Sequence, residues 1–158
     1  PSDPSFDKLA GRVATLARLF GEAGAGLLME TGQERADTLL EFLDEMKRRG
    51  ADNVAVNFDP ANMLLYDMDD PIEAVAKLAP HVRQVHVKDA KRTQVKGQWG
   101  EEVVVGTGEV DWVAFVRILA GAGFDGSYIF EREAGDDRIG DIQKGMAALT
   151  AAMKTAAK

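Results

Sequence analysis

The chain has 158 residues, 46 % hydrophobic and 28 % charged, an ordinary make-up for a soluble globular domain with a real core. A formal net charge of −7 disfavours a nucleic-acid partner, because such binding rests on Lys and Arg neutralising phosphates. With no cysteine, disulfides and thiolate metal sites are excluded; no apolar run approaches the ~20 residues of a membrane span, and PSDPSFDK lacks the basic and apolar regions of a secretion signal, so a cytoplasmic protein that does not engage a membrane is expected.

Taken in order, Asp3-Pro4 is a start signal for a first helix, with Phe6, Leu9, Val13, Leu16, Leu19 and Phe20 on one face at helical spacing. GEAGAG breaks it, and LLMET (27–31) reads as a short buried strand. A second helix carries Leu39, Leu40, Phe42, Leu43 and Met46 and stops at Gly50. VAVNF (54–58) is the second strand, Asp70-Pro71 opens a helix with Ile72, Val75 and Leu78, and VRQVHV (82–87) is the third strand. Between 91 and 109, Gly97 and Gly100 separate β-prone pieces, which reads as a loop with a small hairpin. Asp111 then caps a helix with Val113, Phe115, Val116 and Leu119, SYIFE (127–131) is the fourth strand, and a last helix carries Ile139, Ile142, Met146, Leu149 and Met153. Short apolar strands alternating with amphipathic helices give an α/β fold: a parallel sheet covered by helices, in one domain over 1–158. ETGQER after the first strand is neither a dinucleotide nor a Walker phosphate loop.

Each strand finishes on a group that can ligate a metal or move a proton: Glu30, Asp59, His86 and Glu131. In parallel α/β folds the C-terminal strand ends face the active site, so the four converge. Three carboxylates and one imidazole make a hard, mostly oxygen site suited to one Mn²⁺ or Mg²⁺, with Co²⁺ or Zn²⁺ as alternatives. Singly, each has a plainer reading: Asp59-Pro60 alone is a turn or helix start, and Glu131 has a competitor in Glu133 on the same strand face. His81, after Pro80, reads as an exposed structural residue.

LLMETGQE, VNFDPANM, QVHVKDAKR, GTGEVDW and IFEREAGDDR together resemble the sugar phosphate isomerase/epimerase family, with its xylose-isomerase-like TIM barrel. The resemblance implies one divalent metal held by Glu30, Asp59, His86 and Glu131, with Asp59 and His86 as ligands only. Glu30 and Glu131 would also act as base and acid, moving a proton next to a carbonyl through an enediolate. Arg92 falls at the family's substrate arginine, and Asn62 stands where ketose 3-epimerases have a substrate-contacting histidine. Asp89 would orient His86 or Arg92, or serve only its loop. An inosose-type dehydratase and a non-catalytic half-barrel are the alternatives, while the apurinic endonuclease branch lacks its extra histidines here.

A full barrel has eight strands over ~250 residues. By the resemblance, the four strands and the helix before them are the C-terminal half of a (β/α)8 TIM barrel, which would leave two open strand edges and an apolar inner face. Self-association, or pairing with the missing N-terminal half, is therefore expected alongside a small-molecule sugar or sugar phosphate.

Overall fold

A computed structural model describes residues 2–95 and 97–158. Four strands, β1 (Leu27–Glu30), β2 (Val54–Phe58), β3 (Val82–Val87) and β6 (Ser127–Phe130), form one parallel sheet in the order β1-β2-β3-β6. These are the four expected strands, with the first and last one residue shorter. The hairpin is also present, as antiparallel β4 (Asp89–Lys91) and β5 (Glu101–Val103), but it opens on Asp89, inside QVHVKDAKR.

The helices are α1 (Phe6–Glu22), α2 (Ala36–Arg48), α3 (Pro60–Leu65), α4 (Pro71–Leu78), α5 (Trp112–Gly121) and α6 (Arg138–Ala156). Short α3 had no counterpart in the expected order; the side chain of Asp59 caps it, and Pro60 opens it without losing a hydrogen bond. Successive parallel strands stepping one way across the sheet, with right-handed crossovers, place their helices on one side. There α1, α2, α4, α5 and α6 pack in a row.

Side chains alternate across each strand. Val56, Phe58, Val85 and Val87 are fully buried, and Phe58 meets Phe115 of α5 with ring centroids 5.4 Å apart, so this parity faces the helices. The opposite parity carries Glu30, Asn57, His86 and Ile129, and Ile129 is 44 % exposed on it. The core therefore lies between sheet and helices.

Two helix faces differ from expectation. On α1 the buried residues are Ala10, Val13, Ala14 and Ala17, whereas Leu9, Leu16, Leu19 and Phe20 are about half exposed. Small residues let α1 approach its neighbours closely, and its larger apolar residues point away from them. On α6, Leu149 and Ala152 are buried, but Ile139 and Met146 are exposed. The apolar pattern identified both helices and part of each packed face: Phe6 and Val13 on α1 and Leu149 and Met153 on α6 do pack on the core, while the other large residues named do not set it.

Candidate metal centre

Glu30 ends β1, His86 lies in β3, and Asp59 and Glu131 directly follow β2 and β6. Each offers one ligand atom, and these atoms all lie within 4.8 Å of one another. Strand parity places all four on the face away from the helices. The ladder continues past β6, since the Glu131 N–H donates to the Val87 carbonyl at 3.3 Å.

Thr31 joins the ends of β1 and β2. Its buried hydroxyl donates to the Asp59 carbonyl at 3.0 Å and accepts from the Asp59 N–H at 2.8 Å. Asp59 is fully buried; its Oδ1 accepts from the Asn62 N–H, while Oδ2 has no hydrogen-bond partner. Burial pushes this carboxyl up to about 7, and the charges of Glu131 and Glu30 add to the effect, against the Asn62 N–H and the Lys88 charge. A buried, orphaned carboxylate oxygen beside two further carboxylates and an imidazole is a donor set that a divalent cation satisfies.

His86 presents Nδ1 to this cluster, 3.2 Å from Glu30 Oε1, 3.5 Å from Glu131 Oε2 and 3.9 Å from Asp59 Oδ2. Its Nε2 lies 3.1 Å from the Asn57 amide nitrogen, and the Asn57 side-chain oxygen is buried without a partner. An amide oxygen turned toward Nε2–H would leave the Nδ1 lone pair facing the carboxylates, the tautomer a ligand requires.

Asn62 donates to Glu30 Oε1 at 3.1 Å and to the Thr31 carbonyl at 3.3 Å, so it holds a cluster carboxylate at the cleft wall. Arg92 is placed differently: its guanidinium bonds Asp67 and the Asp69 carbonyl, and it does not line the cleft. In this arrangement it fastens the turn between α3 and α4. Asp89 orients neither His86 nor Arg92. It is fully buried and accepts from the N–H groups of Ala90, Gly106, Gly108 and Val110 and from Trp112 Nε1. A Cβ at Gly108 would overlap its carboxylate, which explains the glycine of GTGEVDW. His81 sits half-buried in a 3₁₀ turn at the other end of the strands, near Gly26 and Asn53.

Lys88 was not anticipated. It is 3 % exposed and donates to Glu133 and, at 3.0 Å, to Glu131 Oε2. Burial would lower its ammonium, but the hydrogen bond to Glu133 and the charges of Asp59 and Glu131 outweigh that and hold it above its ordinary value. The signal was present: Lys88 stands two residues past His86, and Glu133 two past Glu131, both on the site-facing parity. Beyond Glu133, Glu102 accepts from the Glu133 and Ala134 N–H groups and from Arg132, which also bonds Asp141. This network fixes the segment that carries Glu131.

A row of helices on a parallel sheet, with an acidic and imidazole cluster at its C-terminal edge, defines half of a barrel-type α/β protein. The chain belongs to the xylose isomerase-like TIM barrel family, whose model matches residues 1–152. It is similar over 99 % of its length to a xylose isomerase domain protein from Planctomyces limnophilus, at 38 % identity and a TM-score of 0.88, covering 55 % of that chain. A xylose isomerase-like TIM barrel protein from Mycobacterium smegmatis, in complex with magnesium, matches at 22 % identity and a TM-score of 0.78, over 98 % of this chain and 53 % of that one. An L-ribulose 3-epimerase matches at 19 % identity and a TM-score of 0.78, over 99 % and 56 %. The chain thus spans about half the length of the solved structures it resembles.

Proposed function

We propose that this chain is the C-terminal half of a metal-dependent isomerase or epimerase acting on a sugar carbonyl compound. The observation that carries the reading is the orphaned Asp59 oxygen inside a four-residue donor set. The magnesium complex of the Mycobacterium smegmatis relative and the epimerase among the similar structures support it.

Glu30, Asp59, His86 and Glu131 would hold one divalent cation, Mn²⁺ or Mg²⁺ by donor hardness. When bound, the cation supplies Lewis-acid polarisation of a carbonyl and stabilises the negative charge of an enediolate. Asp59 and His86 serve as ligands. Glu30 and Glu131 come from opposite edges of the sheet and so reach a carbon above it from different sides. One takes the proton beside the carbonyl and the other returns one. Asn62 orients Glu30, and Lys88 orients Glu131.

The test is wash-in of solvent deuterium next to the carbonyl of a ketose, measured by NMR with and without Mn²⁺. Metal-dependent exchange that disappears in Glu131→Gln and Glu30→Gln is expected. A protein that binds no divalent cation calorimetrically would sink the reading and favour a non-catalytic half-barrel.

A further inference from the structure

The cleft over the metal centre has an aromatic wall that the proposed chemistry does not use. Trp99 lines it with Tyr66, their ring centroids 4.5 Å apart, and the Trp99 side chain is 64 % exposed. Paired with a second aromatic ring in a cleft, an indole open to water offers an apolar plane with a polar edge to a ligand. This one is held in place. Its neighbour Gly100 donates its N–H to the Leu65 carbonyl at 3.1 Å, and a Cβ there would come within 2.5 Å of the Lys91 carbonyl oxygen. Only glycine lets the chain pass so close to β4 beside α3, and that passage sets Trp99 on Tyr66.

The rest of the wall is acidic. Glu34 and Glu133 line the cleft beside Glu30 and Glu131, and among the described lining residues Lys88 is the single cation. Lys88 is already shared between Glu131 and Glu133. Even with a divalent cation bound, the carboxylates outnumber the positive charge, so a phosphate monoester would meet net repulsion. Among the described residues beside this loop, Arg92 is engaged by the Asp67 carboxylate and the Asp69 carbonyl.

We infer that Trp99, backed by Tyr66, is a stacking platform for the C–H face of an uncharged, ring-closed polyhydroxy carbonyl compound, and that this wall discriminates against phosphorylated sugars. The inference rests on the sugar-carbonyl reading of the cleft and supplies its substrate class. A polyol ring suits the surroundings: its C–H face packs on an aromatic plane, and its hydroxyls donate to Glu34 and Glu133.

The test uses the whole chain, with Mn²⁺ and without it, and reads tryptophan emission. Of the two tryptophans, Trp112 is 5 % exposed, so Trp99 reports on the cleft. Methyl glucopyranoside and myo-inositol are the neutral probes, and glucose 6-phosphate is the charged one. Saturable quenching by a neutral probe is expected, at least about tenfold tighter than by the phosphate, a difference of ~1.4 kcal/mol. In Trp99→Ala, calorimetric polyol affinity should fall about three- to tenfold, as loss of one aromatic contact implies, with Trp99→Phe between the two. Mn²⁺ affinity should stay unchanged in both variants. The inference is overturned if no neutral probe perturbs the emission, if glucose 6-phosphate binds as tightly, or if Trp99→Ala binds like the parent. Failure of Mn²⁺ to bind the parent chain overturns the metal reading instead; the quenching without Mn²⁺ still judges the platform.

Discussion

Replacing Asp89 with alanine should cost more stability than any change at the metal centre. Its two oxygens take five N–H donors, from Ala90, Gly106, Gly108, Val110 and Trp112, at 2.8–3.3 Å. The side chain is fully buried, so in Asp89→Ala these donors lose their acceptor where water enters poorly. An unsatisfied buried donor costs about 1–3 kcal/mol. Taking about 1 for each, because several lie at a partly wetted loop, gives roughly 4–5 kcal/mol, a large share of a domain's usual 5–15. Asp89→Asn keeps one oxygen and the shape but turns an amide N–H₂ toward other donors, so about half that loss is expected. Urea unfolding followed by far-UV circular dichroism measures both. A loss below ~1 kcal/mol for Asp89→Ala would show that loop 104–112 does not hang on this carboxylate. If stability held while Mn²⁺ affinity fell, the role would instead be to orient His86.

Further outcomes are expected. His86→Ala should weaken Mn²⁺ binding at least tenfold by calorimetry, and Asn57→Leu by about tenfold through the imidazole it steadies. Arg92→Ala should lower stability by about 1 kcal/mol, since its charged partner Asp67 is half-exposed, and leave Mn²⁺ affinity unchanged; unaltered urea unfolding would free Arg92 for the substrate role its position suggests. Hydrogen bonds from Arg132 and Lys144 hold the Asp141 carboxyl below its usual range, so its contribution to stability is present above the ordinary carboxylate pKa and is lost as pH falls through the lowered value. Arg132→Met should flatten that part of the acid limb of the unfolding midpoint against pH. Sedimentation over a range of concentrations should show self-association of this chain, and a monodisperse monomer at micromolar concentration with cooperative unfolding would contradict it.

The four strands and the convergence of Glu30, Asp59, His86 and Glu131 were legible because both follow from short-range rules. Strand runs such as VRQVHV are contiguous, and parity then places His86 on the face opposite Val85 and Val87. What lay outside that reach was three-dimensional choice. The α1 pattern holds two apolar surfaces, leucine-rich and alanine-rich, and periodicity alone favours the larger side chains, whereas close packing selected Ala10, Ala14 and Ala17. Asp89 read as orienting His86 or Arg92, or as serving only its loop, with nothing to choose between them; its five donors come mostly from residues 17 to 23 positions later. Trp99 gained significance only when the loop folded back on α3.

If the cluster binds a divalent cation and a neighbour covers the outward leucines of α1, assembly and metal affinity would be coupled. Alanines set how deeply α1 beds against its own neighbours, and Leu9, Leu16 and Leu19 are left to fix its rotation against whatever covers them. α1 leads directly into β1, an edge strand, and β1 ends on Glu30, the most exposed member of the donor set. A neighbour seated on the leucines would therefore restrain one candidate ligand of four. By linkage, a bound metal would then strengthen that association by the same factor by which the association strengthens metal binding. Chelation would loosen the contact, and dilution would raise the metal's dissociation constant, two readings of a single coupling free energy.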